Sequence, residues 1–509
     1  MDMLEVSVGG NEMQENKMVN IKKIIFGVLF LLLAGWIGIL CFYRLGEAGT
    51  HNWDEARHIV NAYEMMTTGN WWINTYMWEP DYFNFKPPLS MWCIICSFKF
   101  LGVSSFSMRF YSAISMFLIF LLLFYFTMRN FGKRAAIICG IILASGTDLF
   151  FFHMARSADA DALYLLMFSV AMICLYMAEK KPWFLTGFGI FLSLAFMAKC
   201  FHVAIGIAVF ICYLPRLYKK LKLKHYIGAI AGGIIPTGIW TVARFSYDGF
   251  AFFAGMFGKE VVSRVEKEKD YLAYLNYVVT NPIIISTLVA AVIGLILLKA
   301  KRENGKLNIK VLLSKIIRND LYLFILWLMI PFAVYSMSGA FMEWYIYICY
   351  LPFCVLVGVI LGKTISIHGK KCLIALILLF VPLIGLVISA KQSWVILNTL
   401  EYTNNTDVRK DLASLIEKYP EYRGTAIYIE NSRNEYQPQN VWDQNCVADA
   451  YITGDFKPMD GGVPFFIEDK DAILIISKDL FESYSNLLTG RVILLDGKDY
   501  LIFNNEFYG

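Results

Sequence analysis

Long apolar segments recur between residues 24 and 390, and they restrict this chain more than any other feature of its sequence. Eleven of them can be distinguished, at residues 24–43, 107–128, 135–152, 162–178, 183–200, 203–215, 226–246, 280–298, 321–338, 344–362 and 372–390. A lipid bilayer offers no hydrogen-bond partners to the backbone, so segments of this kind cross it as helices. We therefore predict a multi-pass α-helical membrane protein with about eleven spans.

The composition supports this class and excludes an ordinary soluble enzyme. Of the 509 residues 58% are hydrophobic and only 17% are charged, whereas a soluble protein carries about a quarter charged residues. The first apolar segment (24–43) is long enough to span and lacks a small-residue cleavage site. We therefore expect it to be a span and not a cleaved signal peptide, with residues 1–23 as a polar N-terminal tail.

Basic residues alternate between the loops and so orient the spans. Clusters of Lys and Arg lie in the loops on the side of the N-terminus, at 129–134, 180–181, 216–224, 299–318 and 363–371. Because positive loops stay in the cytoplasm, the tail at 1–23 is predicted to be cytoplasmic. The loop at 44–106, called the first outer loop below, is predicted to be extracytoplasmic. The apolar stretch 89–103 would break the alternation if it spanned, so we expect an interfacial or re-entrant helix there.

The composition changes from about residue 391 onwards. Residues 391–509 hold 19 acidic and 11 basic residues and no segment long enough to span a membrane. Three runs typical of strands lie at 425–430, 472–477 and 491–495, and one stretch typical of a helix lies at 479–488. An odd number of spans places this part opposite the N-terminus. We predict a small extracytoplasmic α/β domain at 391–509, after a transmembrane domain at 24–390.

The first outer loop concentrates polar and charged side chains. If it begins a helix near Asp54, then Asp54, Arg57 and His58 share one face, at positions i, i+3 and i+4. Pro87 forces Lys86 towards an extended backbone, so the Lys86 ammonium projects from a stiff segment. A carboxylate beside fixed cations suits chemistry on an anionic substrate at the membrane surface. An interfacial hairpin with solvated charges and Trp at headgroup depth would explain the same composition.

Other outer loops add candidate residues, each with a structural alternative. Asp159 and Asp161 lie where the next span begins, and the helix dipole alone favours carboxylates there. Lys199 lies at a tight turn between spans, where snorkelling would explain it. Arg264 stands at an apolar–polar boundary, where a lipid phosphate would lie. Tyr345 and the tryptophan before it open a later span, as in an aromatic belt.

The sequence lacks the motifs of nucleotide and metal chemistry. It contains no P-loop, no dinucleotide-binding glycine fingerprint and no His/Cys metal cluster. An enzyme of this design would need a substrate that is activated elsewhere and delivered within the membrane. The expected partners are therefore a lipid-linked donor and membrane lipids, and not nucleic acid.

Two short motifs carry a family resemblance. At Asp54-Glu55-Ala56-Arg57 and Lys86-Pro87-Pro88-Leu89 the chain resembles the bacterial lipid-donor glycosyltransferases of the C superfamily, family 39 type. The branch that it resembles holds the lipid A aminoarabinose transferases and the protein O-mannosyltransferases. The layout is similar from residue 24 to about residue 365. Asp161, with Asp159 as an alternative, matches the family's loop carboxylate, and Trp344-Tyr345 matches a Trp-Tyr pair ahead of a span.

The chain departs from the family pattern at three places. Phe85 stands where many relatives have Glu before the Lys-Pro, and Cys200 stands where they often have Gly after a Lys. Relatives often have a basic residue near Glu343. These differences affect the acceptor and any metal more than the reaction class.

The resemblance implies a chemical role for each candidate residue. In that family the sugar is carried on a polyprenyl phosphate or diphosphate, and transfer is a single inverting displacement at the anomeric carbon. Asp54 would be the general base that takes the acceptor's proton. The residues that would hold the donor phosphate are Lys86, Arg57, Arg264 and Tyr345. Asp161 or Asp159 would orient the acceptor or help to bind a divalent cation, the one cofactor to be expected.

Two classes of function are compatible with the sequence. The resemblance favours a hexosyl- or pentosyltransferase of the cell's inner or plasma membrane, expected to be a monomer, with a polyprenyl-phosphate sugar as donor and a lipid, glycan or protein as acceptor. The alternative is a flippase or other transporter of lipid-linked sugars. Transporters place their ionisable residues near the middle of the bilayer, whereas here they cluster in outer loops, which favours the enzyme. The sequence does not specify the sugar, the acceptor or the length of the lipid.

Overall fold

A computed structural model shows a mostly helical protein with a small sheet near its C-terminus. It describes residues 2–51, 54–262, 270–300, 317–338, 341–368, 373–400, 408–430 and 442–507. The candidate Arg264 lies outside these described residues.

Each predicted apolar segment forms a helix. The helices are Asp2–Phe42, Ser105–Phe131, Lys133–Ala144 (followed by the short Asp148–Phe151), Asp161–Ala178, Phe184–Lys199, Ala204–Leu217, Leu223–Asp248, Pro282–Ala300, Tyr322–Ser338, Tyr347–His368 and Leu373–Thr399. Among the described residues seven helices are long and apolar enough to cross a membrane, or up to eight if a bent pair counts as one span. The multi-pass helical class is confirmed, whereas the count of eleven spans is not. One reason is that residues 184–217 form one apolar stretch of 34 residues.

A proline bends the chain between two of these helices. The helix Ala273–Thr280 meets the helix Pro282–Ala300 at 82°. The residue before a proline is pushed out of the helical region, and Asn281 accordingly has φ −81° and ψ 109°. The bend therefore follows from the Asn281-Pro282 sequence.

Glycines allow the membrane helices to approach closely. A side chain at Gly189 would overlap the carbonyl oxygen of Ala229, on the neighbouring helix Leu223–Asp248. A Cβ at Gly358 would lie 2.7 Å from the carbonyl oxygen of Ala135. Small residues at such contacts are the usual means by which helices pack in lipid, where the hydrophobic effect does not drive them together.

The helices at both ends of the transmembrane region are longer than predicted. The helix Asp2–Phe42 includes most of the expected tail at 1–23, and the helix Leu373–Thr399 continues beyond the expected boundary at 390. Polar residues alone do not end a helix, and neither Gly nor Pro occurs between residues 11 and 26 or between residues 386 and 399.

The first outer loop is folded into short elements. A helix, Asp54–Thr68, is followed by a hairpin of β1 (Thr75–Tyr76) and β2 (Glu79–Pro80) and by the helix Leu89–Leu101. The last of these has 13 residues, too few to span a bilayer, as expected for an interfacial helix at 89–103. A further short helix, Ala251–Phe257, follows the helix Leu223–Asp248.

The C-terminal part forms a small α/β domain. Its strands are β3 (Ala426–Glu430), β4 (Lys457–Pro458), β5 (Ile473–Ser477), β6 (Arg491–Asp496) and β7 (Tyr500–Phe507), in the order β4-β3-β5-β7-β6. Its helices are Val408–Lys418, Trp442–Ile452, Gly462–Glu468 and Lys478–Leu488. The predicted strands β3, β5 and β6 and the predicted helix at 479–488 are present.

The sheet of this domain is mixed. β4, β3 and β5 run parallel, and β5, β7 and β6 run antiparallel. Every residue of β5 is buried, as expected of a strand covered on both faces. Through Val408, Leu412 and Val447 the domain joins the same hydrophobic core as the membrane helices.

Candidate functional site

The site begins with an ion pair between the two motifs of the first outer loop. Asp54 is the first residue of the helix Asp54–Thr68, and its Oδ1 lies 2.8 Å from Nζ of Lys86. The Lys86 side chain is 12% exposed and the Asp54 side chain 43%. Burial by itself would raise the pKa of Asp54, but Lys86, followed by His58, lowers it well below its usual range. Asp54 is therefore a carboxylate at neutral pH and can be reached from solvent.

His58 lies one helical turn after Asp54 and is fully buried. Neither of its ring nitrogens has a hydrogen-bond partner among the described residues. Burial, and then the charge of Lys86, lower the pKa of His58 to about 4. His58 is therefore a neutral imidazole, and the positive charge beside Asp54 comes from Lys86.

The loop between the helices Asp148–Phe151 and Asp161–Ala178 brings another pair to the same place. Nδ1 of His153 lies 2.8 Å from Oδ2 of Asp159, and the His153 ring stacks on Trp344 with 3.8 Å between ring centroids. Burial opposes both charges, yet each partner stabilises the other: the pKa of His153 rises to about 9 and that of Asp159 falls to about 2. His153 has φ 55°, a left-handed conformation that is strained for a residue other than glycine.

Three of these side chains form a group that could hold a metal ion. One ligand atom each from Asp54, His153 and Asp159 can be chosen so that all three lie within 4.8 Å of one another. Oδ1 of Asp159 is buried and has no hydrogen-bond partner among the described residues. The predicted candidate Asp159 is thus next to Asp54, whereas Asp161 has a different neighbour.

Asp161 forms an ion pair with Lys199, and both side chains are buried. Nζ of Lys199 lies 4.6 Å from the centre of the Tyr345 ring. The Tyr345 ring in turn packs edge-on against His202, at 5.0 Å. The structure therefore joins Tyr345 and Asp161 into one cluster around a lysine. The sequence offered Lys199 as a candidate with snorkelling as the alternative, and the ion pair with Asp161 now favours a place in this cluster.

Arg57 lies on the same helix as Asp54 but contacts different residues. Its guanidinium donates two hydrogen bonds of 2.9 Å to Asp81, and both side chains are buried. The Arg57 guanidinium also lies over the rings of Tyr76 and Phe83, at 4.1 and 4.4 Å. This geometry favours a structural role for Arg57 over the predicted contact with the donor phosphate.

The Arg57–Asp81 pair organises the segment that leads to Lys86. Asp81 accepts hydrogen bonds from the backbone N–H groups of Phe83 and Asn84, at 2.8 and 3.0 Å. The side-chain oxygen of Asn84 then accepts one from the backbone N–H of Lys86, at 3.3 Å. Arg57 therefore acts on the site indirectly, by fixing the turn from which Lys86 projects.

Glu55, the neighbour of Asp54, is the centre of a buried network. Its carboxylate accepts hydrogen bonds of 2.7 and 3.0 Å from Arg109. It also accepts one from the backbone N–H of His51, at 2.7 Å, and one from that of Ala158, at 2.8 Å. Burial alone would raise the pKa of Glu55, but Arg109 lowers it. Glu55 thus holds the start of the helix Asp54–Thr68 against the loop that carries Asp159.

A lysine from the region after residue 250 also reaches the first outer loop. Nζ of Lys259 donates to the carbonyl oxygen of Phe83, at 2.8 Å, and lies 3.3 Å from the centre of its ring. The chain between residues 250 and 262 therefore borders the site. A role for Arg264 remains a prediction, because Arg264 lies outside the described residues.

Parts of the chain are similar to known proteins. The family described as dolichyl-phosphate-mannose-protein mannosyltransferase matches residues 85–240. The chain is 25% identical over 384 residues to undecaprenyl phosphate-α-4-amino-4-deoxy-L-arabinose arabinosyl transferase 2 of Pseudomonas fluorescens, an alignment that covers 69% of this chain and 64% of the relative. It is 26% identical to the corresponding transferase of Aeromonas hydrophila, over 40% of this chain and 39% of the relative.

Solved structures share the fold over nearly the whole chain. ArnT from Cupriavidus metallidurans, bound to undecaprenyl phosphate, has a TM-score of 0.64 at 14% identity, with 94% of this chain and 98% of the other covered. The apo state of the same protein has the same TM-score, with 96% of this chain covered. The resemblance to family-39-type glycosyltransferases of the C superfamily is confirmed. The chain aligns with less than two thirds of the length of the two arabinosyl transferases named above.

Proposed function

We propose that this multi-pass membrane protein is a glycosyltransferase that moves a sugar from a polyprenyl-phosphate-linked donor to an acceptor on the extracytoplasmic face. The observation that carries the proposal is the Asp54–Lys86 pair at 2.8 Å, which joins the two motifs of the resemblance at a partly exposed position. The relatives' names give an undecaprenyl-phosphate-linked aminoarabinose as their donor. A donor of the same lipid class suits the present site, because a lysine and a carboxylate lie together in an outer loop.

The reaction would be a single displacement at the anomeric carbon. The acceptor's oxygen or nitrogen forms a bond to that carbon from the face opposite the phosphate. The bond between the carbon and the phosphate oxygen breaks, and its electron pair stays on the phosphate. Asp54 takes the acceptor's proton as the new bond forms. The configuration at the carbon is inverted.

Lys86 would serve the leaving group and, through it, the base. Charge on the phosphate grows as the sugar leaves, and a fixed ammonium stabilises that charge. When Lys86 turns to the phosphate, Asp54 loses part of the cation that depresses its pKa, so Asp54 becomes a stronger base only with donor bound. The Lys199 and Tyr345 cluster would extend the phosphate site, with Arg264 as a further predicted contact.

Of the two carboxylates predicted as candidates for a divalent cation, Asp159 fits such a site and Asp161 does not. Asp161 is occupied by Lys199, whereas Asp54, His153 and Asp159 present ligand atoms to a common centre and Asp159 keeps one buried oxygen without a hydrogen bond among the described residues. Two carboxylates and a neutral imidazole suit Mn²⁺ or Zn²⁺, so His153 would release its proton when the ion binds. Such an ion would supply charge stabilisation to the departing phosphate. We propose these three residues as its ligands.

The proposed function is tested by a transfer assay in proteoliposomes. The purified protein is supplied with synthetic polyprenyl-phosphate pentoses and hexoses and with extracts of lipid, glycan and protein acceptors, and the release of polyprenyl phosphate and the labelled product are measured. Lys86→Ala should abolish transfer and Lys86→Arg should restore part of it. Lys99→Ala changes an exposed lysine of the same loop and should leave transfer intact.

Two outcomes would overturn the proposal. Normal transfer by Lys86→Ala would mean that this lysine only anchors the loop. Movement of a labelled donor between the leaflets, without any transfer of sugar, would identify a flippase.

A further inference from the structure

The C-terminal domain contacts the first outer loop near both ends of the helix Asp54–Thr68. Its helix Trp442–Ile452 packs against the helix Asp54–Thr68. Tyr451 lies edge-on against Tyr63, with 4.9 Å between ring centroids. Tyr451 is 2% exposed, so the contact belongs to the interior of the protein.

The first contact holds the chain just before Asp54. The hydroxyl of Thr50 donates to Oδ1 of Asp449, at 2.6 Å, and both side chains are fully buried. Arg409 lies 3.6 Å from the same carboxylate and donates to the carbonyl oxygen of Ala48, at 2.9 Å. The next residue, His51, donates its backbone N–H to Glu55. The domain is therefore linked to the start of the helix Asp54–Thr68, within a few residues of Asp54.

The second contact holds the far end of the same helix. The Tyr451 hydroxyl donates to Oε1 of Glu64, at 2.8 Å, and the backbone N–H of Trp78 donates to Oε2, at 3.0 Å. Trp78 belongs to the hairpin β1–β2, and this hairpin leads to Asp81 and then to Lys86. The domain is therefore also linked to the segment that carries the second member of the Asp54–Lys86 pair.

The hairpin needs such support because its turn is strained. Met77 and Trp78 connect paired strands as a two-residue turn and have φ 54° and 65°. Turns of this kind prefer Asn and Gly, since other residues pay a steric penalty at positive φ. Glu64 and Tyr451 both contact this turn at Trp78. The backbone N–H of Trp78 donates to Glu64, and the Trp78 ring lies 6.1 Å from the ring of Tyr451.

The buried polar groups favour one docked arrangement of the C-terminal domain. A carboxylate loses much solvation energy when it is buried, and only hydrogen bonds with good geometry offset the loss. Asp449 and Glu64 are both fully buried and both receive a hydrogen bond of good length across the interface. An undocked domain would leave the Thr50 hydroxyl and the Glu64 carboxylate without these partners.

We propose that the C-terminal domain is a positioning element of the active site, in which Asp449 and Tyr451 set the distance between Asp54 and Lys86. This inference rests on the proposed function, since it assigns these two residues to the same transfer reaction. Neither residue touches the reacting atoms. Asp449 fixes the approach to Asp54 through Thr50, and Tyr451 fixes the approach to Lys86 through Glu64 and Trp78.

The test uses the full-length protein with Asp449→Asn and Tyr451→Phe. Both changes keep the size and packing of the side chain. Asp449→Asn alters the carboxylate that faces Thr50 and Arg409, and Tyr451→Phe removes the hydroxyl that donates to Glu64. Transfer is expected to lose about ten- to a hundredfold in kcat, because misplacement of reacting groups by a fraction of an ångström has effects of that size. The KM for donor and acceptor should change much less. Matched controls are Asp460→Asn and Tyr419→Phe, elsewhere in the domain, which should keep the wild-type kcat.

Hydrogen exchange gives a second measurement that needs no activity. Amides of residues 46–56 and 76–86 should exchange faster in Asp449→Asn and Tyr451→Phe than in the wild type and the controls. If the wild type shows no transfer at all, the proposed function fails, and the exchange result still decides whether the domain positions the loop.

Three results would overturn the inference. Unchanged exchange in both loop segments would mean that the contacts do not hold the loop. A raised KM for the acceptor with an unchanged kcat would instead make the domain an acceptor-binding module. A lowered melting temperature with an unchanged kcat would give the two residues a role in stability alone.

Discussion

Asp54 and Glu55 are adjacent carboxylates on one helix, yet their surroundings differ. Glu55 is fully buried and accepts hydrogen bonds from Arg109 and from two backbone N–H groups. Asp54 is 43% exposed and faces Lys86. A buried, fully bonded ion pair fixes one arrangement of the chain, whereas an exposed carboxylate beside a cation can exchange partners when a substrate arrives. The comparison separates the scaffold of the site from its chemistry.

The same contrast applies to two ion pairs of the first outer loop, Arg57–Asp81 and Lys86–Asp54. Arg57 and Asp81 are 3% and 0% exposed and are joined by two hydrogen bonds. Lys86 is held by the turn that this pair organises and keeps some exposure. A cation that binds a substrate must be able to leave its resting partner, which favours Lys86 over Arg57 as the phosphate ligand.

The largest expected effect follows from removing the exposed carboxylate. Asp54→Asn keeps the size of the side chain but removes the base, so transfer should fall by about a hundred- to ten-thousandfold. The melting temperature should change little, because the pair with Lys86 is partly exposed. The measurement is sugar transfer in proteoliposomes beside thermal unfolding of the same preparation. Glu79→Gln, at an exposed position of the same loop, is the control, and wild-type turnover by Asp54→Asn would contradict the assignment of the base.

The neighbouring carboxylate should show the opposite pattern. Glu55→Gln leaves the Arg109 guanidinium buried without its counter-charge, and breaking a buried pair in this way costs about 3–5 kcal/mol. We expect a markedly lower midpoint in denaturant-induced unfolding of the purified protein, whereas Asp54→Asn should unfold near the wild-type midpoint. Equal stabilities for the two variants would remove the distinction between scaffold and chemistry on this helix.

The sequence was sufficient for the class of the protein and for naming both members of the Asp54–Lys86 pair. Apolar length predicts the helices, and the two motifs of the first outer loop predict Asp54 and Lys86 because each has local features that mark it. The buried ion pairs that support the site have no local sequence feature of this kind. Arg109 lies 54 positions from Glu55, Asp81 lies 24 positions from Arg57, and Lys199 lies 38 positions from Asp161. Their pairing depends on how whole helices pack.

The same limit applies to the contacts of the C-terminal domain. The strands of this domain follow from short β-branched and aromatic runs, but its attachment to the helix Asp54–Thr68 cannot be predicted from them. Thr50 and Asp449 are 399 positions apart, and Glu64 and Tyr451 are 387 positions apart. The number of spans was harder to predict than the number of helices. The length of an apolar segment indicates directly that it is helical, but it indicates less directly whether the helix crosses the bilayer.

A third prediction concerns pH and the buried carboxylate Glu64. Burial raises its pKa from 4.5 to about 7, although hydrogen bonds from Tyr451 and Trp78 partly oppose the shift. Asp81 also raises it. Because the pKa in the folded protein is the higher one, protonated Glu64 contributes stability that is complete below about pH 4.5 and is lost as the pH rises through about 7.

The corresponding experiment compares Glu64→Gln with the wild type at several pH values. Glutamine cannot ionise, so the variant should lose less stability than the wild type between pH 5 and pH 8. The difference should be on the order of 3 kcal/mol at most, since one pKa unit corresponds to about 1.4 kcal/mol. Unfolding midpoints at each pH provide the measurement, and Glu79→Gln should keep the wild-type slope. Parallel slopes for Glu64→Gln and the wild type would show that Glu64 is ionised throughout this range.

The smallest effect is expected from an ion pair that is neither buried nor part of the site. Arg44 and Glu47 lie 2.6 Å apart at the start of the first outer loop and are 25% and 52% exposed. Exposed pairs contribute about 0–1 kcal/mol, because water and salt screen them and two long side chains lose freedom. Arg44 keeps its hydrogen bonds to the carbonyl oxygens of Leu397 and Asn398 when the acid is removed. Glu47→Gln should therefore leave both the unfolding midpoint and sugar transfer within error of the wild type, in the same assays. A loss of transfer in this variant at unchanged stability would mean that the Arg44–Glu47 pair takes part in the reaction and that the site extends to it.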